Sequence, residues 1–402
     1  MKKTWLWLIG LLSLALLILA IALFLPVHEN ARVKQPPFDK KTMKTSAAPA
    51  KKSDPVQSSN RGESAAPANS VSIPVQKTSA TLAAVGDVLI HDRVYNAART
   101  KSGYDFKPMF RAVKPIIKSA DIAVANSESI IGGSQIGLST YPCFNSPYEV
   151  ADAMKDAGFD VVTMANNHTL DRGVTAIENA IHYWDKIGMV HTGSFLSKRD
   201  RDTIRIVSRN GVTFAFLAYT YGTNGIPTPK NQDYLVNRID LPLIQKDVQQ
   251  ARRLSDVVVV CLHFGTEYQR EPNAEQKALV RKLADAGVDV ILGSHPHVLQ
   301  PYEWVTGKTG HRTFVIYSLG NFLSGQKGLY NQIGGILLLK IVKTDDGVKP
   351  KIVIEQPRFI PTWVQPKTYR VIPLTEAGRY GLGQAQAVYK ETLKHVTVEA
   401  AH

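Results

Sequence analysis

Residues 257–297 read VVVVCLHFGTEYQREPNAEQKALVRKLADAGVDVILGSHPH, and this stretch decides the fold class. An unbroken apolar run, Val257 to Leu262, is what a strand covered on both faces requires. Asn273 is a good N-cap, and the residues from it to Ala286 carry helical patterning. Val288 to Gly293 reads as a second buried strand. Strand, helix and strand in this order make a βαβ unit, with its two strands parallel in one sheet. Polar residues follow each strand: His263 after the first, His295-Pro296-His297 after the second. In open α/β sheets, ligands gather at the carboxyl ends of strands. These side chains are therefore candidates for a shared crevice.

The same pattern recurs earlier in the chain. Thr81 to Val85 runs into Gly86-Asp87, and Val161 to Ala165 runs into Asn166-Asn167-His168. Carboxylate, amide and imidazole groups without thiolates suit Mn, Fe, Zn or Mg, so a metal-dependent site is expected. Between these points strand and helix signals alternate. Thr81–Leu89, Asp121–Ala125, Phe159–Ala165 and Met189–Gly193 read as extended, and Phe106–Ser119 and Val174–Ile187 as helical. Ser146-Pro147-Tyr148-Glu149 has the form of a capping box opening a helix to about Gly158. Asn210-Gly211 between two apolar runs, within Ile204 to Tyr219, is a hairpin signal. A helix from Pro242 to Leu254 is capped by Asp240, and Thr313–Leu319 and Gly334–Val342 are strands. Lys351–Ile360 reads as the return arm of a hairpin turning near Asp345-Asp346-Gly347, and the tail from Leu374 as helical to about His395. Two βα runs joined through antiparallel hairpins predict two packed sheets flanked by helices, a four-layer α/β sandwich.

The N-terminus has a different character. Lys2-Lys3 precede an uncharged apolar run from Trp5 to Leu25, long enough to span a bilayer, with positive charge on its cytoplasmic side. Ala20-Ile21-Ala22 fits a signal-peptidase pattern, but the apolar run continues past it, so an uncleaved anchor is the reading taken. Residues 27–78, rich in Ala, Pro, Ser and Lys, form a disordered linker. The division expected is an anchor at 1–26, the linker, a folded domain at 79–370 and a helical extension at 371–402. That places the folded part outside the cytoplasm on a single-pass membrane protein. The net charge is +14, and residues 1–80 hold eleven Lys and Arg against four Asp and Glu. Half of the surplus thus sits in anchor and linker, where it serves solubility and topology or attracts polyanions. No nucleic-acid motif is present, so nucleic acid is not an expected partner. Cys143 and Cys261 give no framework, and Cys261 lies inside a buried strand.

The polar strand ends differ in weight. Asp87, read alone, is as well explained as a turn residue. Three polar side chains in Asn166-Asn167-His168, with Asp171 close behind, are costly at a strand end without partners. His295 and His297, two apart on an extended segment, would point the same way, as a metal pair requires. Glu128, after the strand Asp121–Ala125, could add a carboxylate, and Glu267-Tyr268 follow His263 closely. Ser318-Leu319-Gly320-Asn321-Phe322 ends another strand and offers donors to an anionic ligand.

Taken together, Gly86-Asp87, Asn126-x-Glu128, Asn166-Asn167-His168, His263-Phe264-Gly265-x-Glu267-Tyr268, Gly293-Ser294-His295-Pro296-His297-Val298 and Tyr317-Ser318-Leu319-Gly320-Asn321-Phe322 resemble the CapA family. Its members are membrane-anchored proteins of poly-γ-glutamate capsule synthesis. The resemblance covers roughly Thr81 to Ile360. That family in turn is similar to calcineurin-like metallophosphatases, whose four-layer sandwich holds two metals. The resemblance implies one or two divalent ions on Asp87, Glu128, Asn167, His263, His295 and His297, with His168 and Asn167 at the chemical step. It also implies substrate contacts from His91, Asn166, Glu267, Tyr268, Ser318 and Asn321. The metallophosphatase pattern begins Asp-x-His, whereas this chain has Asp87-Val88-Leu89, with His91 a nearby imidazole at another spacing. Glu128 would stand for the bridging Asp. The residues directly after Asn321-Phe322, Leu323-Ser324-Gly325-Gln326, include no acidic one.

The expected activity is metal-assisted hydrolysis or transfer at a phosphoester or amide, in synthesis, export or anchoring of an anionic capsule polymer. Capsule synthesis and export subunits are the expected partners. Two alternatives stand beside it: a non-catalytic polymer-binding or scaffolding subunit, and a cell-envelope phosphoesterase.

Overall fold

The computed structural model describes residues 75–347, 350–355 and 357–397. These residues belong to one compact unit, Ser70–His402. The expected anchor at 1–26 and nearly all of the expected linker lie outside the described residues. Among the described residues no helix is long and apolar enough to cross a membrane.

Two sheets organise the unit. The larger contains β1 (Gln76–Leu89), β2 (Ile122–Ser127), β3 (Val161–Thr163) and β4 (Val190–Thr192), mutually parallel. The smaller is built on β5 (Arg205–Arg209), β6 (Val212–Thr220), β7 (Val257–His263), β8 (Val290–Ser294), β9 (Leu299–Thr306) and β10 (Arg312–Leu319), in the order β5-β6-β7-β8-β10-β9. Its four central strands are parallel, and each edge strand is antiparallel to its neighbour. The chain then crosses back to the larger sheet. There β11 (Asn321–Ser324) pairs with β1, β12 (Ile333–Asp345) lies antiparallel to β1, and β13 (Lys351–Ile354), β14 (Arg358–Val364) and β15 (Val371–Pro373) complete the edge.

Period-two alternation sorts the smaller sheet's residues between two cores. Along β6, Phe214, Phe216 and Ala218 join the core shared with the larger sheet. Ala215, Leu217 and Tyr219 pack instead with Ile244, Val248 and Ala251 of the helix Leu241–Leu254 and Val280 and Leu283 of the helix Ala274–Asp285. Helices Glu149–Ala157 and Gly173–Lys186 bury Met154, Ile181 and Trp184 into the first core. The order is helix, sheet, sheet, helix, as the alternation predicts. Each fully buried Val, Leu or Phe contributes about 1.5–3 kcal/mol. The unbroken run Val257–Val260 thereby feeds both cores at once.

Local signals hold where a side chain or a backbone sign enforces them. Asn210 and Gly211 take positive φ (49° and 78°), as the tight turn between β5 and β6 demands. Asp240 accepts from Leu243 N–H, and Asn273 and Gln276 form a full capping box. Four readings need correction. The helix expected over Phe106–Ser119 is two single turns, Lys107–Phe110 and Lys114–Ile117; each carries a proline as its second residue, which cannot continue a preceding turn. The Ser146 capping box does not form: the helix begins at Glu149 without a side-chain cap, and the Ser146 hydroxyl donates to Ser129 Oγ at 3.0 Å. The arm Lys351–Ile360 is split into β13 and β14, both paired to β12. The tail from Leu374 is a short 3-10 turn, Ala377–Tyr380, and then a helix, Ala385–Val396; Gly381, at φ 100°, ends the first. At the folded unit's margins, β1 begins at Gln76, and β15 pairs with β14 before the chain turns helical. Cys143 and Cys261 are both free thiols.

Candidate metal centre

The strand ends of both sheets meet in one place. Asp87 ends the straight part of β1, Glu128 follows β2, and Asn166-Asn167-His168 follow β3. His263 closes β7, and His295 and His297 follow β8. Gly86 makes the first placement possible: a Cβ there would sit 1.8 Å from the Gly320 carbonyl oxygen. The bare backbone lets the β10–β11 crossing lie against β1, and Asp87 N–H donates to that same carbonyl at 2.9 Å.

His295 and His297 do not converge by strand alternation. β8 ends at Ser294 and the chain bends, with positive φ at both histidines (99° and 58°). Left-handed backbone at a non-glycine residue costs on the order of 1–3 kcal/mol and persists only where its surroundings enforce it. Here Asp87 supplies part of that restraint: its Oδ2 accepts from His295 N–H at 3.4 Å and lies 3.2 Å from His297 Nδ1. Asp87 Oδ1 accepts from Asn126 Nδ2 at 2.8 Å.

Glu128 is the centre of the arrangement. It is fully buried, and neither of its carboxylate oxygens has a hydrogen-bond donor. Its Oε1 faces His263 Nε2 at 3.4 Å and His297 Nε2 at 3.7 Å. Burial, with the nearby Asp87 carboxylate adding to it, raises the Glu128 pKa well above the usual carboxylate range. The imidazoles shift the other way. Burial, then the neighbouring His295, lowers His263 well below its ordinary value, and burial, then His297, brings His295 down to about 3. These rings are neutral at pH 7 and carry lone pairs. His295 Nδ1 is buried without a partner. A buried carboxylate facing neutral imidazoles is costly by itself, and a divalent cation between them removes the cost. The candidate ligand atoms fall into three overlapping sets, each within 4.8 Å: Glu128–His263–His295, Asp87–Glu128–His297 and Glu267–His295–His297. Nitrogen and oxygen donors in such sets fit Zn, Mn or Fe.

Beside the carboxylate lies a histidine–aspartate pair. His168 Nδ1 is 2.7 Å from Asp171 Oδ2, which also accepts from Phe144 N–H at 2.7 Å. This orients the ring and leaves Nε2 as the nitrogen that can exchange a proton.

The profile of the family described as "Bacterial capsule synthesis protein PGA_cap" matches residues 81–326. The chain belongs to this family. Among curated relatives it is 32% identical over 255 residues to the PGA biosynthesis protein CapA of Bacillus subtilis (strain 168), covering 60% of this chain and 62% of that one. It is 31% identical over 260 residues to the capsule biosynthesis protein CapA of Bacillus anthracis, covering 61% and 60%. The chain thus spans about three fifths of the length of either relative. Among solved structures it overlaps a 5'-nucleotidase precursor from Thermus thermophilus at 15% identity, 78% of this chain and 59% of that one, with a TM-score of 0.44. The NAD nucleotidase of Haemophilus influenzae gives 12% identity, 80% and 64%, and the same TM-score of 0.44.

In this PGA_cap chain the expected ligands are gathered, and the expected substrate contacts are divided between the cluster and its surroundings. Asn167 Oδ1 stands 2.7 Å from His263 Nε2, within the cluster. Asn166 works as a brace: its Nδ2 donates to Ser127 O at 3.0 Å and its Oδ1 accepts from His168 N–H at 3.1 Å. Ser318, fully buried, uses its hydroxyl to accept from Gly320 N–H. The Asn321 Nδ2 donates to Gln326 Oε1 and Asn331 O, and its Oδ1 is buried and unpartnered. His91 packs edge-on against Phe144, with its Nδ1 near Leu89 O and Gly325 N–H. Glu267 and Tyr268 stand at the mouth, the Tyr268 ring 6.1 Å from that of His297. Ser318 and Asn166 thus spend hydrogen-bonding groups on backbone partners, as buried polar groups at strand ends commonly do.

Several site residues had no separate sequence signal. Asn126 braces Asp87 and also lies 3.3 Å from His263 Nδ1. Ser294 Oγ lies 3.0 Å from the same nitrogen. Asn224, on the loop after β6, accepts from Asn167 Nδ2 at 3.2 Å. Tyr221, half exposed, lies over His295 with ring centroids 4.6 Å apart. Asp171 was readable from its place close behind His168, and Asn126 and Ser294 stood inside the motifs quoted above.

Proposed function

We propose that this protein is a membrane-anchored, outward-facing member of its family whose metal centre carries out hydrolysis or group transfer at a phosphoester or amide. The step would serve synthesis, export or anchoring of an anionic capsule polymer of the poly-γ-glutamate type. The observation that carries this reading is Glu128, buried with both oxygens free among three imidazoles and adjoining the His168–Asp171 pair. Glu128, His263, His295 and Asn167 would hold one divalent ion, and Asp87, Glu128 and His297 a second. Such ions supply Lewis acidity and a water of lowered pKa. His168, oriented by Asp171, would pass a proton from Nε2 to the leaving group. Asn126 and Ser294 fix the His263 ring, and Asn166 fixes the turn that presents Asn167 and His168. The apolar run Trp5–Leu25 would be the anchor, and capsule synthesis and export subunits the partners.

The test is turnover of phosphoesters and γ-glutamyl polymers by the full-length chain loaded with Mn²⁺. The expected result is hydrolysis that His168→Ala abolishes, with metal content and melting temperature unchanged. A fully loaded protein inert toward every substrate would sink the catalytic reading. It would favour a polymer-binding or scaffolding subunit, for which the observation in hand is Leu89, a buried apolar residue two places after Asp87.

A further inference from the structure

The two halves of the metal cluster are unequally furnished. On the inner side Glu128, His263 and His295 are joined by Asn167 Oδ1, and each of these four residues is buried. On the outer side, among the described residues, Asp87, Glu128 and His297 converge, and a third set joins Glu267 to His295 and His297. Leu89 shares the strand face of Asp87 but offers no donor.

Glu267 stands on the open side of that deficit. Its Oε1 lies 4.0 Å from His297 Nε2, and Glu128 Oε1 lies 3.7 Å from the same nitrogen. His297 Nε2 therefore sits between two carboxylates, one buried and one whose side chain is 42% exposed. The placement is built into the backbone. Tyr268 N–H donates to Pro296 O at 2.8 Å, pinning the 265–268 turn to the His295-Pro296-His297 bend. Gly265 (φ 98°) and Tyr268 (φ 67°) are both left-handed. At Gly265 it is the left-handed φ that favours glycine, since an added Cβ would meet only the end of the Gln276 side chain, at 2.7 Å. A carboxylate so placed repels the anionic oxygens of a phosphoester or polymer, which argues against a direct substrate contact. It suits a cation.

We infer that Glu267 is the fourth protein ligand of the outer divalent ion, supplying from the mouth the donor that Leu89 does not. The inference rests on the two-ion reading above. The outer ion, held by a half-exposed carboxylate, is the weaker and more exchangeable of the two.

The experiment is Mn²⁺ binding to the full-length chain, followed by calorimetry and by electron paramagnetic resonance. The native chain is expected to bind two ions of unequal affinity and to show a spin-coupled signal. Glu267→Gln should keep the tighter ion, weaken the other by about tenfold or more, and lose the coupled signal. Loss of outer-shell partners alone costs about 10–100-fold, so a direct ligand should do at least as much. Glu267→His, which restores a donor, should recover the second ion. Matching melting curves would show that the fold is intact in both variants. Two ions of unchanged affinity in Glu267→Gln would overturn the inference, as would a single ion in the native chain. A native chain that binds no Mn²⁺ would overturn the two-ion reading as well.

Discussion

The two sheets contribute different chemistry to one crevice. The larger sheet brings oxygen: Asp87 after β1, Glu128 after β2 and Asn167 after β3. The smaller sheet brings nitrogen: His263 at the end of β7, with His295 and His297 after β8. One set, Glu267–His295–His297, comes from the smaller sheet alone. Each set of converging ligand atoms that includes Glu128 takes its oxygen from one sheet and its nitrogen from the other. The site is a property of how the sheets face one another, and each sheet has a glycine against which β10 or its crossing into β11 lies close. Gly86 on the larger sheet would strike Gly320 O with a Cβ at 1.8 Å, and Gly293 on the smaller would strike Tyr317 O at 1.9 Å. Both obstacles belong to β10 and its crossing into β11, the segment that ties the sheets together.

The sharpest way to break this pairing is Glu128→Gln, which removes the charge and one oxygen of the carboxylate common to two of the ligand sets. Divalent-metal affinity should fall by more than the roughly 10–100-fold that an outer-shell partner is worth. Retention of native Mn²⁺ content in that variant would show that the sheets do not share a bridging ligand. Next in size are Gly86→Ala and Gly293→Ala, each driving a methyl into a backbone carbonyl. Each should lose about 3 kcal/mol or more, read by denaturant unfolding. If Gly293→Ala costs nothing, the close β8–β10 contact at Tyr317 O does not constrain the smaller sheet.

A pH titration compares one imidazole from each side. Burial brings His91, past the end of β1, from 6.5 to about 4, and His295 to about 3. Both are bases with lowered folded values. Their contribution is intact above about pH 6.5 and is lost as the pH falls toward 4, because the unfolded chain takes up protons that the folded chain refuses. For His91, at roughly 1.4 kcal/mol per unit, the loss reaches about 3 kcal/mol by pH 4. His91→Gln should flatten the fall of melting temperature over that window in chelator-treated protein, and an unchanged slope would contradict the assignment. The smallest effect is expected at Lys198, which lines a cavity of about 580 Å³ with Arg201, Arg238 and Lys246. No member of the metal cluster lines it. Lys198 is exposed and pairs with Asp202 at 3.0 Å, a contact worth about 0–1 kcal/mol. Lys198→Ala should leave stability nearly unchanged and metal binding untouched.

Much of this was legible in the chain itself, and the reasons are local. Val257–Val260, Asn273 with Gln276, and Asn210-Gly211 each specify their element through a short-range rule of burial, capping or backbone sign. The polar residues stranded after buried strands announced the crevice, because such groups are expensive without partners. Where competing short-range effects met, the reading failed. Pro108 and Pro115 divided one expected helix, and Ser146 spent its hydroxyl on Ser129.

The sequence by itself determined the alternation, the two sheets and the candidate ligands, since periodicity and strand-end chemistry act over a few residues. Only the tertiary structure decided which of those residues meet. It turned His295 and His297 through left-handed backbone, set Glu128 between the imidazoles, and brought Tyr221 and Asn224 from a loop with no motif of its own. It also gave Ser318 and Asn166 backbone partners. The physical reason is distance along the chain. His295 N–H and Asp87 Oδ2 are 208 residues apart in sequence and 3.4 Å apart in space, and only the packing of one sheet on the other brings them together.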